Sequence, residues 1–214
     1  FPGILASLDT DAADLSAAAG GSPRKLVDAQ PVSNLSWSRN ATDIVYAAGA
    51  GTWPGLWSVS VADGKARQIT TPGIVGEPVW SPTRDMIAYL EPAMTGPSFT
   101  GLSLIAADGN PLWAKALKAP NISSGFTNGT TAWSFDGRRL AVTSQNTNAA
   151  TSIWLIDPDA ADPFKRLIEL PIGPRIRGIT WTNDGAIIVG QQDSTSDIVL
   201  MDQGATAAPP TSAR

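Results

Sequence analysis

Any chemistry in this chain has to come from carboxylates, hydroxyls, amides and guanidinium groups, because its 214 residues include neither a histidine nor a cysteine. Without histidine there is no Ser-His-Asp triad, no imidazole base and no imidazole metal ligand. Without cysteine there are no disulfides, thiolate nucleophiles or zinc–thiolate sites. Glycine-rich phosphate loops, a Gly-x-Ser-x-Gly elbow and an HExxH helix are also absent. Two acidic segments echo one another, Asp9-Thr10-Asp11-Ala12-Ala13-Asp14 and Asp157-Pro158-Asp159-Ala160-Ala161-Asp162. Clustered carboxylates can hold calcium, but neither segment has the central glycine and distal glutamate of an EF-hand loop, so both read as acidic turns. Glu77 and Glu91 are carboxylates that a lyase or glycosidase could use, and Arg175 and Arg177 the cations that could meet an anion. Asn34, Asn40, Asn121 and Asn128 each begin an N-x-Ser/Thr sequon, matches expected by chance in a chain rich in these residues. No catalytic residue, metal site or cofactor is expected.

Charge narrows the partners. Fifteen Lys and Arg face nineteen Asp and Glu, and only 16% of residues are charged, against roughly a quarter in ordinary soluble domains. No basic stripe is available to displace counterions from nucleic acid. No apolar run approaches the ~20 residues of a membrane helix, so insertion into a membrane by this chain is not expected.

The elements that must position these groups repeat. Four segments each bring an apolar stretch to a Trp and a hydroxyl residue, then a short polar turn, then a second apolar stretch. They are centred on Trp37-Ser38, Trp80-Ser81, Trp133-Ser134 and Trp181-Thr182, with the tryptophans 43, 53 and 48 residues apart. A third strand follows in each period: Leu56 to Val61, Leu102 to Ile105, Ile153 to Ile156 and Ile198 to Met201. Asp63-Gly64 and Asp108-Gly109 then mark tight hairpins, since glycine accepts the positive φ that a primed turn requires. Fourth strands are expected at 66–70, 111–117 and 164–170, and none is evident in the last repeat. No 3.6-residue apolar period persists over helical length. Four short antiparallel strands recurring at about 45 residues are the pattern of a β-propeller blade.

The stretch Trp133-Ser134-Phe135-Asp136-Gly137-Arg138-Arg139-Leu140-Ala141-Val142, followed by Ser152 to Asp157, resembles the WD40-like repeat of TolB-type propellers. The usual form is apolar-Trp-Ser-Pro-Asp-Gly-Arg. Trp80-Ser81-Pro82 fits it, with Thr83-Arg84-Asp85 in place of Asp-Gly. The repeat at Trp37 departs most, and Gly20 to Val27 is similar to the end of a further blade. The resemblance covers roughly residues 15 to 203. It implies an all-β propeller of four-stranded antiparallel blades. The blade repeats lie near 32–70, 75–117, 123–170 and 176–203, with a partial blade over 1–30. Residues 204–214 read as a flexible tail or linker. The count is four blades and part of a fifth. The expectation is an open arc of a larger ring, with closure into a small propeller as the alternative.

In such a blade Trp37, Trp80, Trp133 and Trp181 pack between neighbours as core, as do Trp57 and Trp154. Asn34 falls on an inner strand and is expected to be inaccessible. The first-to-second and third-to-fourth turns share one face and are short. The remaining connections, over 49–55, 92–101, 118–130 and 145–151, share the other. They carry Trp53, Met94, Phe99 and Phe126 among small and amide residues. Apolar anchors ringed by uncharged polar groups suit a protein contact or a neutral ligand. Trp53 stands out, because Gly51, Pro54 and Gly55 offer it little to pack against.

The functional expectation is a non-catalytic scaffold: an extracytoplasmic, periplasmic-type propeller of bacterial kind that docks a protein partner or forms an accessory subunit of a larger complex. The alternative is the substrate-gating propeller of a prolyl-oligopeptidase-like serine peptidase, with the hydrolase domain outside these residues.

Overall fold

The computed structural model describes residues 4–9, 12–17, 24–27, 32–48, 55–70, 76–92, 99–116, 131–145, 150–170, 175–192 and 196–201. Among them every element is a strand, and the strands form antiparallel sheets in chain order. β1 (Ile4–Asp9), β2 (Ala12–Ala17) and β3 (Arg24–Val27) make a three-stranded sheet. β4 (Val32–Trp37), β5 (Asp43–Ala48), β6 (Gly55–Ser60) and β7 (Ala66–Gln68) make a four-stranded meander. β8 (Gly76–Trp80), β9 (Met86–Pro92), β10 (Phe99–Ala106) and β11 (Pro111–Ala116) repeat it. So do β12 (Thr131–Trp133), β13 (Leu140–Gln145), β14 (Thr151–Ile156) and β15 (Phe164–Glu169). β16 (Arg175–Trp181), β17 (Ile187–Gln192) and β18 (Ser196–Met201) form the last sheet.

Sheets pack face to face, so both faces of a middle strand are buried and the period-2 alternation sorts side chains between two neighbours rather than between core and water. Ile44 and Tyr46 of β5 join Leu26 and Val27 of the first sheet, while the intervening Val45 and Ala47 join Trp80, Ile87, Tyr89 and Ile105 of the third. The rule recurs farther along. Leu140 and Val142 of β13 meet Leu102 and Leu104, whereas Ala141 meets Trp181 and Ile187. Four apolar clusters thus fill four successive seams. Burial of such side chains contributes ~1.5–3 kcal/mol each. The opening strands also touch in series, β4 on β8, β8 on β12 and β12 on β16. The first strand of each of these sheets is therefore the inner one.

The tryptophans divide. Trp80, Trp133, Trp154 and Trp181 are buried, whereas Trp37 and Trp57 are half-buried against the first seam. Trp133 Nε1 donates to Val79 O of the preceding sheet at 3.1 Å, and Trp181 Nε1 donates to Ala132 O at 3.0 Å. Each acceptor sits one residue before its own sheet's tryptophan. At the Trp80 seam the corresponding bond is missing: the indole N–H is buried without an acceptor, and the main-chain N–H of Trp80 donates instead to Ser36 Oγ at 2.8 Å. A register irregularity between Ser33 and Ser36 accompanies the change, with Asn34 at φ 52°.

Candidate functional site

At one end of the sheets lie the turns after each tryptophan. Ser38, Ser81, Ser134 and Thr182 each donate a main-chain N–H across the turn, to Asp43, Met86, Arg139 and Ala186 at 2.8–2.9 Å. In three of the four the hydroxyl accepts the return N–H, from Asp43, Arg139 and Ala186. This explains the hydroxyl that always follows the Trp: it satisfies turn amides that would otherwise be buried unpaired. Ser134 Oγ also donates to Asp136 Oδ1 at 2.6 Å, and Thr182 Oγ1 donates to Asp184 in the same way. Those hydroxyl bonds, ahead of smaller contributions, hold both carboxyls below the usual carboxylate range. In the first repeat Asn40 takes the aspartate's place, accepting from Ser38 Oγ at 2.9 Å.

Bonds across the seams brace this end further. Arg24 donates to Val61 O of the next sheet, and Arg67 to Ala107 O of the one after, at 2.6 Å. Arg39 reaches Thr83 O at 3.3 Å, and Thr83 Oγ1 reaches Asp136 O at 3.0 Å. Arg84 pairs with Asp159 at 2.8 Å, which keeps the Asp159 carboxyl low. Arg139 lies 5.7 Å from the centroid of the Trp181 ring. Gly109 and Gly137 sit within these seams with φ of 96° and 65°. A Cβ on Gly109 would stand 2.3 Å from Ile69 O, and one on Gly137 2.0 Å from Thr83 Oγ1. Among the described residues the exposed large apolar groups here are Leu112 at 55% and Phe135 at 56%, the latter where the TolB-type motif carries proline.

The opposite end begins where β5 meets β6 at Ala48 and Gly55, β9 meets β10 at Pro92 and Phe99, and β13 meets β14 at Gln145 and Thr151. Among the described carboxylates at this end are Glu91 and Glu77. Glu91 Oε1 accepts from Tyr89 Oη at 3.1 Å and from Ser103 Oγ at 2.5 Å, on the face of β9 that Tyr89 turns to the second sheet. Burial, then the Glu91 charge, pushes the Tyr89 hydroxyl up to about 12, so it stays a donor. Glu77, 4% exposed and at φ 50°, receives Thr131 Oγ1 of the fourth sheet at 3.5 Å. Glu91 thus bonds within its own sheet, while Glu77 reaches the fourth sheet.

Of the anchors expected from sequence, Trp53, Met94 and Phe126 lie outside the described residues. Phe99 opens β10 opposite Pro92 in the backbone register. Asn34 is half-buried on β4, and Asn40 is exposed in its turn. Asn121 and Asn128 lie outside the described residues. Arg175 opens β16, and exposed Arg177 donates from Nε to Gln192. The second acidic segment is a turn in which Asp157 Oδ1 accepts the Asp159 N–H at 3.1 Å. In the first, Thr10 and Asp11 lie outside the described residues. Among the described residues no group of acidic side chains is placed to hold a metal ion. Sequence reasoning missed the Tyr89–Glu91–Ser103 unit. Its signal was present in part, as Tyr89 and Glu91 are two apart on a strand and so share a face.

Neither a family model nor a curated protein matches the chain. Solved structures do. TolB from Acinetobacter baumannii superposes with a TM-score of 0.68 at 18% identity, over 92% of this chain and 52% of that one. The nidogen/laminin complex gives 0.68 at 12% identity, over 92% and 75%. A chain from a study of two prolyl endopeptidases gives 0.64 at 15% identity, over 96% and 34%. The chain thus spans about half the length of that TolB. At these identities the likeness is one of fold: the chain is an all-β propeller of four-stranded antiparallel blades.

Proposed function

We propose that this β-propeller chain is a non-catalytic interaction scaffold of the TolB type, extracytoplasmic in location, that docks a protein on the end of its blades opposite the Trp-hydroxyl turns. The observation that carries the reading is the internal bracing of the turn end. The turn end consumes its polar groups internally: hydroxyls close the turns, aspartates cap them, and arginines bridge the seams. A braced scaffold of this kind leaves recognition to its variable connections. Those connections carry Trp53, Met94 and Phe126, and Phe99 opens β10 beside one of them rather than lying in the loop; these are the large apolar type that dominates binding energy when seated in a partner. Extracytoplasmic placement rests on the TolB-type repeat.

The experiment is cross-linking and co-purification from the native source, comparing the wild type with Trp53→Ala and Phe126→Ala. A specific companion retained by the wild type and released by either variant supports the reading. Retention unchanged in both overturns it.

A second reading, the gating propeller of a prolyl-oligopeptidase-like peptidase, is favoured by the match to the prolyl endopeptidase chain over 96% of this one. Intact mass of the native polypeptide separates the two. A product carrying a hydrolase domain after the propeller supports gating, and one without it supports the scaffold.

A further inference from the structure

We infer that Glu91 is a preset acceptor for a basic side chain, an arginine or lysine, of the protein that docks on this end; the inference rests on the docking reading above and names the partner's chemistry. Glu91 ends the run Met86-Ile87-Ala88-Tyr89-Leu90-Glu91, in which Ile87 to Leu90 are buried. The Glu91 side chain is half-buried. Two donors set its geometry. Tyr89 Oη and Ser103 Oγ both bond to the same oxygen, Oε1, and both residues are themselves buried, at 8% and 2% exposure. Their positions are held by the seam, so the carboxylate is oriented by groups that do not move with solvent.

Among the described residues Oε2 receives no hydrogen bond. Gly101 faces Glu91 in the β9–β10 register, and a Cβ there would lie 3.3 Å from Glu91 Cβ and 3.4 Å from Oε2. Glycine thus keeps the flank of the carboxylate clear. Among the described residues no lysine or arginine pairs with Glu91. The donors are two neutral hydroxyls, which a glutamine would satisfy equally well without charge. Holding an anion half out of water with only neutral donors costs desolvation that a cation recovers. A preoriented carboxylate favours guanidinium or ammonium because the rotamer entropy is already spent on the protein's side. The net charge of −4 attracts the same class of partner at long range.

The test uses the full chain, isotope-labelled, with N-acetyl-arginine amide as probe. The expected result is a saturable NMR shift at the Gly101 and Ser103 amides and the Glu91 carboxyl carbon. Glu91→Gln, which keeps an acceptor for both hydroxyls, lowers the affinity at least tenfold. N-acetyl-norleucine amide leaves the same signals unmoved. Ser103→Ala, which removes one orienting donor but no charge, weakens the arginine response by less than tenfold without abolishing it, a readout that stands by itself should Glu91→Gln fold poorly. Equal responses to arginine and norleucine amides, or an unaltered arginine response in Glu91→Gln, would overturn the inference. The titration makes no use of Trp53. Loss of partner in Trp53→Ala with an unaltered arginine response in Glu91→Gln removes the acceptor and leaves the docking reading intact. The reverse pattern removes the docking reading and the partner with it, and leaves Glu91 only as a carboxylate that binds free guanidinium.

Discussion

The indole N–H of Trp133 donates to the carbonyl of Val79 across a seam, 3.1 Å away, while the N–H of Trp80 one sheet earlier is buried with no acceptor. Two residues that are equivalent in the repeat therefore differ in what they contribute. Trp133→Phe strips a hydrogen bond as well as removing ring area. Trp80→Phe removes ring area and an unsatisfied donor. The expected outcome is a larger loss of stability for Trp133→Phe, by about 1 kcal/mol. Urea unfolding of the two variants side by side measures it, and equal losses would refute the assignment.

Glycines that share a left-handed conformation differ in what surrounds them. Gly109, at φ 96°, would place a Cβ against the main-chain oxygen of Ile69 in the preceding sheet. Gly185, at φ 91°, has open space there. Gly185→Ala should cost only the conformational penalty, ~1–2 kcal/mol. Gly109→Ala should cost clearly more, because backbone has to move. Thermal midpoints of the two variants decide it.

Acid should loosen the turn end. The folded-state pKa of Asp136 is lowered, first by the Ser134 hydroxyl and then by the Arg138 N–H. A depressed carboxyl contributes stability that is fully present above its unfolded value, near 4, and is lost as pH falls through the lower folded value. Asp136→Asn should therefore remove part of the pH dependence while keeping the turn, as Asn40 does in the first repeat. The group is exposed, so the effect is under about 1 kcal/mol. Denaturant midpoints at pH 7 and pH 3 give the measurement; an identical pH slope in the variant would sink the idea.

The Arg84–Asp159 pair joins the third and fourth sheets with side chains 33% and 65% exposed. Breaking it with Asp159→Asn should cost less than about 1 kcal/mol at low salt. That cost should fade toward 1 M salt, where screening shortens the reach of exposed charges to about 3 Å. A salt-independent cost would mean the contact acts through packing.

Much of the fold is legible in residue order. The Trp-hydroxyl repeat, the strand alternation after it and the Asp-Gly hairpins are local signals, because a turn and its flanking strands are stabilised by residues within a few positions. The role of the hydroxyl after each Trp is likewise local, since it bonds amides four or five residues on. Trp37 and Trp57 show where this stops. They carry the same local pattern as the buried tryptophans but reach only half burial, because burial depends on what the neighbouring sheet supplies.

What the tertiary structure decided concerns the seams. Alternation along β9 shows that Tyr89 and Glu91 share a face, but not that Ser103 closes on the same carboxylate oxygen. Nothing local indicates that Glu77 turns to Thr131, 54 positions away, or that Arg84 meets Asp159, 75 positions away. Nor does the missing acceptor of Trp80 appear in a motif it shares with Trp133 and Trp181. The physical reason is common to all of these. A period of two assigns side chains to two faces, and in a stack of sheets both faces are buried. Which neighbour each face meets, and in what register, is set only when whole blades pack.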